Sequence, residues 1–568
     1  MTAHRRFIPI FSGVAFGVLA VVTLKGCIFN RSEIAFSVTI PDAVKASARW
    51  IEVAAYPERC PTPEELSGPL PNAGMQSRVA MAVDEKNPPA FGRLPKGTYG
   101  FAASIRNSSC GVLAAGCTVA QLPGQSSVDI QLAPLSTAAG TCEDGITCAY
   151  AQCVPAVNSG DPSAGRGCSM RLVGAGPLGA PLSDDVQISP PSVVATNDGF
   201  LIAYREYLSQ SAQAKFTIVP IDPGGGIRTL HDYPLADRCA GVEESDGIAF
   251  SFSKENAQGL LAISRKPCEN GNVGGLEIFP TDSSGSIVKS AFTASGSATI
   301  TLTGHSLAIV NSSKQMLAYG FDQEARVAEI DTAALTFTNN DAAVPYATYA
   351  TSATSASIAR SSSALALLAS VPPSSIVDAG ADAKADATAE AGSLDPRIAL
   401  TFTSATTALD KLPKSIASTG KFGTLALQDG RLFVVRQSIV PGRAAEFEAY
   451  DVGSTKAVVT DTLSTSIGNG ETEAIDLALA QNRAFFAIGQ PKSVTVLVYD
   501  HATTNPTFLR EVHLPSDPRI PTFVGKFRDG GVAIAATDSR VIVTWTTGKT
   551  LQANDVLGGY AVFACTNP

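Results

Sequence analysis

Histidine is scarce in this chain: five in 568 residues, at positions 4, 231, 305, 501 and 513. No H-E-x-x-H pair exists, which removes the commonest zinc-protease signature. No G-x-S-x-G elbow follows the N-terminal segment, so the usual α/β-hydrolase nucleophile is missing. A Gly-rich phosphate loop with Lys and Ser/Thr is absent, as is an EF-hand loop. Basic clusters stop at Arg5-Arg6, which leaves no electrostatic footprint for nucleic acid. After residue 24 no apolar run approaches the roughly 20 residues of a spanning helix. Aromatics are sparse at 7%, tryptophans number two, and charged residues make up only 16%. What remains is 45% hydrophobic and rich in Ala, Ser, Thr and Gly, with a net charge of −9. That balance favours small-residue β structure over helical bundles. The length allows two or three domains.

The first 26 residues divide into a basic start (His4, Arg5, Arg6), an apolar run of 17 from Phe7 to Thr23, and Leu24-Lys25-Gly26 before Cys27. This is the layout of an export signal. Leu24-Lys25-Gly26-Cys27 resembles the bacterial lipobox, with Lys25 in a slot that normally holds a small or apolar residue. The resemblance implies cleavage before Cys27, acylation of that cysteine, and a lipid tail as the contact with the membrane. Ile28, rather than Asp, implies the outer membrane by the lipoprotein sorting rule.

Setting Cys27 aside leaves ten cysteines: Cys60, Cys110, Cys117, Cys142, Cys148, Cys153, Cys168, Cys239, Cys268 and Cys565. An even number in an exported chain reads as disulfides. The C-x5-C-x4-C-x14-C spacing of the middle four, with no His between positions 5 and 230, does not fit zinc. Cys110 and Cys117 are close enough to clip one hairpin, and Cys60 could pair with either.

The expected fold class is all-β. Residues 1–26 are the signal and 27–32 a lipidated linker. Residues 33–135 form a small β-sandwich, from short alternating runs such as "IAFSVTI", "ARWIEVAAY" and "SSVDIQL". Within it "LPKGTYGFAASI" resembles a strand of the carboxypeptidase-regulatory or transthyretin-like sandwiches, which implies a spacer or adhesion module. Residues 136–178 carry four cysteines with little to bury and read as a disulfide-stapled connector. Glu143 and Asp144 there fall short of the six to eight oxygens calcium wants.

From residue 179 to 568 a unit recurs: a strand, a polar turn, an apolar strand. Anchored on Gly199, Gly247, Gly304, Ser362, Gly430, Asn482 and Gly530, the copies are spaced 48, 57, 58, 68, 52 and 48 apart. Asp-Gly and related turns accept positive φ cheaply and suit tight hairpins. Seven antiparallel meanders of about 50 residues resemble a seven-bladed β-propeller. The longest interval contains an Ala/Asp-rich stretch, an insertion of the fourth unit at about 374–395, too poor in apolar residues to fold.

Two clusters gather titratable groups. His231 and Asp232 lie together before Cys239, in what reads as an inter-blade loop, and a general base or metal ligand at His231 is conceivable. Glu243 and Glu244 precede the second turn and are further ligand candidates. Asp500 and His501 read as a surface turn after a strand. No catalytic constellation, metal site or cofactor motif emerges. The expected function is therefore non-enzymatic binding or scaffolding at the cell envelope, through propeller faces, with an envelope protein or glycan as partner. The alternatives are a propeller hydrolase or lyase acting on polysaccharide or small esters, and a purely structural envelope protein.

Overall fold

The computed structural model describes residues 35–565 apart from internal stretches, the longest being 85–93, 156–167, 236–246, 338–354, 372–396, 405–415, 515–526 and 548–557. Cys27, Glu243, Glu244, Cys239, Cys268 and the segment 374–395 lie outside the described residues. The described residues are nearly all strand, and those from 32 onward form one compact unit. No described helix is long and apolar enough to cross a membrane.

The N-terminal part has two layers. Five antiparallel strands run in the order Ser77–Ala82, Trp50–Pro57, Gly97–Arg106, Val112–Leu122, Ala133–Ala139. A parallel pair, Ala35–Thr39 with Ser127–Gln131, lies over one face. Period-two alternation drives this arrangement. In Ser127–Gln131 only Val128 and Ile130 are buried, and they meet Val53, Phe101 and Ile105. Trp50–Pro57 is buried on both faces because its other side packs Ala54 and Tyr56 against Leu70 and Ala102 and carries the buried Glu52. Disulfide Cys60–Cys117 ties the loop after Trp50–Pro57 to Val112–Leu122, and Cys110–Cys148 ties the loop before that strand to Ile146–Ala149, so Cys110 and Cys117 do not clip a hairpin together. They stand on one strand and the loop before it, and each has a partner far along the chain.

The rest is a β-propeller. Six antiparallel sheets of four or five strands follow one another, beginning at Val186, Ile248, Ile300, Ser355, Gly423 and Ala474. Their innermost strands touch in sequence around a ring: Ser192–Ala195, Ile248–Ser253, Leu307–Asn311, Ser355–Arg360, Gly423–Gln428, Ala474–Ala480, then Phe527–Ala536, which returns to Ser192–Ala195. Each interface between sheets is an apolar layer. Between the fifth and sixth, Phe433, Phe447 and Phe486 are fully buried, with ring centroids 5.8 Å and 5.1 Å apart along the series. Each such ring contributes about 2–3 kcal/mol by burial.

Ring closure draws on a strand from the segment that reads as a connector. The last three strands, Phe527–Ala536, Arg540–Thr547 and Gly558–Ala564, take Arg171–Leu178 as their fourth, paired along its length with Gly558–Ala564. Cys168 just before it bonds Cys565 just after its partner. The same strand then touches Ser77–Ala82 through one rung, Ala175 opposite Arg78, so one nine-stranded sheet runs from the closing sheet into the N-terminal layers. Arg78 is 1% exposed. Its Nε donates to Glu52 Oε1 at 2.6 Å and its Nη1 to the carbonyl of Val173, across the joint. Arg106 Nη2 donates to the other Glu52 oxygen. Burial alone would raise the Glu52 pKa, but the two guanidiniums overcome it and hold the carboxyl down at about 2.

The polar turns do not all occupy one place in the repeat. Gly199, Gly430 and Asn482 lie between the first two strands of their sheets. Gly247 and Gly304 precede the innermost strand, and Gly530 lies within one. Much of the unevenness of the intervals comes from this.

Candidate functional site

Among the described residues, two places on the ring bring polar groups of three or more sheets together, and they lie at opposite ends of the innermost strands. The first is the turn Thr303-Gly304-His305-Ser306, at the start of Leu307–Asn311 in the third sheet. His305 Nε2 lies 2.5 Å from Asp476 Oδ1, on the innermost strand of the sixth sheet. The third and sixth sheets are not neighbours, so this contact spans the centre of the ring. Around it, Ser192 Oγ of the first sheet donates to the Gly304 carbonyl at 3.3 Å. Ser306 Oγ donates to the Ala356 carbonyl of the fourth at 2.9 Å, and Ile358 N donates to the His305 carbonyl at 2.8 Å. Asp476 Oδ2 accepts from Ile534 N of the closing sheet at 2.8 Å, and Oδ1 from its neighbour Leu477 N. The turn therefore plugs the axis, tied to the first, fourth and sixth sheets. Burial opposes a proton on His305, but the Asp476 charge and hydrogen bond outweigh it and the imidazole pKa is raised. Such a pair is chemically able to hold and release a proton. Both partners, however, are already spent on holding the plug.

The second place is at the other end, where the turns between first and second strands emerge. A cleft of about 500 Å³ opens between the first and second sheets. Arg228 and His231 line it, with hydroxyls from Thr196, Thr229 and Ser284. Arg228 follows the Pro223–Gly226 turn, which is tightened by Gly225 at φ 80° and by Asp222 Oδ1 accepting from Gly226 N. The Nε of Arg228 is buried and has no hydrogen-bond partner among the described residues. A smaller cleft of about 310 Å³ adjoins it, sharing Thr196 and Phe200, and is lined by Lys254, Asp538 and Arg540. Arg540 is fixed by donating to the carbonyls of Pro223 and Ser539.

The residues singled out from sequence fare differently. His231 is not in a loop: it begins the outer strand His231–Leu235 of the first sheet and borders the larger cleft. Asp232, its neighbour, faces the opposite side of the sheet, as strand alternation requires. There it accepts from Lys215 Nζ at 2.5 Å and Thr217 Oγ1 at 2.6 Å. The two are not brought to one site. Asp500 is the buried last residue of Ser493–Asp500, and the His501 ring packs 4.8 Å from Phe433 of the fifth sheet, so this pair is no surface turn. The residues that sequence reasoning missed are His305 and Asp476, 171 positions apart, and Arg228. Among the described residues no group of three or more His, Cys, Asp or Glu is placed to hold a metal ion.

No family model and no curated protein sequence matches this chain. Solved structures similar to it include β-propeller domains and enzymes. The β-propeller domain of the trilobed protease from Pyrococcus furiosus is 12% identical, with 68% of this chain and 96% of that one covered and a TM-score of 0.35. The WD40 domain of Toxoplasma gondii coronin is 10% identical over 69% and 89%, at 0.37. The polysaccharide lyase Uly1 is 10% identical over 66% and 90%, at 0.38. At this distance the likeness concerns fold alone.

Proposed function

We propose that this chain is an exported, lipid-anchored protein of the cell envelope that works by binding rather than by catalysis. On this reading Cys27 carries the lipid, residues 33–135 are a β-sandwich spacer of the carboxypeptidase-regulatory kind, and the ring has seven blades, counting the closing sheet. The fully paired disulfides Cys60–Cys117, Cys110–Cys148 and Cys168–Cys565 support an oxidising compartment. The observation that carries the binding role is the pair of adjoining clefts, where turns of the first, second and closing sheets converge. They join a positively charged lining to a rigid scaffold, the usual make-up of a recognition site. The axis, by contrast, is closed by its own polar turn.

Two measurements test this. Labelled palmitate supplied to a bacterium expressing the full chain should enter the protein, and Cys27→Ala should abolish it; equal labelling of that variant sinks the anchor. Thermal melting of the mature chain against envelope proteins and glycans tests the second half. A true ligand at about 100 times its Kd adds roughly 2.7 kcal/mol, and a flat response across both classes rejects the binding role.

A further inference from the structure

We propose that the two clefts form one continuous site for an acidic glycan, with a carboxylate, sulfate or phosphate on the sugar seated against Arg228. This deepens the binding reading above and rests on it.

Charge comes first. The chain carries a net −9, so most of its surface repels an anion. The lining of the clefts runs the other way. Arg228, Lys254 and Arg540 face Asp198 and Asp538, an excess of one positive charge where the whole molecule has a deficit. Arg540 is held by backbone carbonyls, whereas Arg228 and Lys254 have no side-chain bond among the described residues that would neutralise them. A guanidinium with a buried, unpartnered Nε gains most from a planar or tetrahedral oxyanion, which takes paired N–H donors.

The polar lining points to a sugar. Hydroxyls of Thr196, Thr229, Ser284 and Ser539, the Asn197 amide and the His231 ring offer both donors and acceptors, which a hydroxyl-rich ligand uses. The large apolar side chains in the lining, Phe200 and Ile221, are 1% and 2% exposed. They leave no apolar socket of the kind that anchors peptide side chains. Thr196 and Phe200 belong to both clefts, so a chain of two or more sugars seated in one has the other beside it. The first-, second- and closing-sheet turns that shape the path are held by the ring closure, so the site is preformed.

The test uses the mature chain, a uronic acid tetrasaccharide, its fully methyl-esterified form, and a glutamate-rich peptide, titrated calorimetrically at fixed ionic strength. We expect the acidic sugar to bind, the ester to bind at least tenfold more weakly, and the peptide to be weaker still. Arg228→Gln should weaken the acidic sugar at least tenfold, and Lys254→Gln should weaken it further in combination. Lys45→Gln, which removes an exposed charge on the N-terminal part, should leave affinity unchanged. Unchanged melting temperatures for Arg228→Gln and Lys254→Gln separate lost contact from lost fold. Equal binding of acid and ester, or affinity indifferent to Arg228, overturns the acidic-glycan proposal and leaves the binding role standing. Preference for the peptide overturns the glycan class. No binding by any of the three overturns the proposal, and the binding role then stands or falls on the protein partners of the melting panel.

Discussion

Glu52 and Asp476 are both buried carboxylates in sheet structure, and each joins parts of the molecule that sequence holds far apart. Their partners differ in kind. Glu52 sits between two guanidiniums at the joint of the N-terminal layers and the closing sheet. Asp476 sits at the centre of the ring, held by two backbone N–H groups and one imidazole. Arginine stays charged at any relevant pH, whereas histidine titrates near neutrality. The joint is therefore permanent over the physiological range, and the plug is responsive. Two carboxylates of similar burial have opposite windows of sensitivity because of one choice of cation.

The sharpest way to break this comparison is at the joint. Glu52→Gln leaves Arg78 and Arg106 buried without their counter-charge and should cost about 3–5 kcal/mol in denaturant unfolding; a loss below about 1 kcal/mol would mean the triad does not tie the joint. Asp476→Ala orphans two backbone donors and the His305 ring, and should cost about 3 kcal/mol, read in the same assay. Acid probes the joint without mutation. The Glu52 pKa is lowered in the folded state, so its stabilisation is present above 4.5 and is lost as pH falls from there towards 2. That amounts to roughly 3 kcal/mol, and the wild type should converge on Glu52→Gln across that window. The plug behaves the other way. The His305 pKa is raised on folding, so its contribution is full below about 6.5 and is lost as pH rises through the folded value. Melting temperatures of wild type and His305→Gln should therefore differ most below about pH 6.5 and draw together as pH rises through the folded value; a constant gap would show the imidazole acts only by shape. The smallest effect belongs to the clefts: Arg228→Gln should change stability by less than about 0.5 kcal/mol.

Much of the ring was legible in sequence because its strands are short apolar runs between polar turns. "RLFVVRQ" and "AEFEAYD" are runs of this kind, and the structure pairs them directly. The closing strand was not legible. "RLVGAGPL" reads as connector because it ends the cysteine-rich stretch 136–178, yet its glycines are what its position demands. A Cβ at Gly174 would lie 2.7 Å from Gly225 Cα, and one at Gly176 would press on the Tyr560 ring at 3.0 Å. A strand wedged between a turn and an aromatic side chain has no room for the residues that advertise strands. The site was misjudged for a different reason. Adjacent titratable residues attract the eye, but on a strand adjacency sends side chains to opposite faces, as His231 and Asp232 show. The His305–Asp476 pair is built by ring geometry alone, and no local pattern signals it.

The bond between Cys168 and Cys565 has a consequence for survival under proteolysis. Its two ends are 397 residues apart and enclose every sheet of the ring. A protease that cuts once, anywhere from 169 to 564, therefore releases nothing: the two pieces remain one covalent molecule, with the remaining sheets holding the cut ends in place. A nick that would shed half of an open chain becomes a scar. Only a second cut, or a reductant, turns damage into loss.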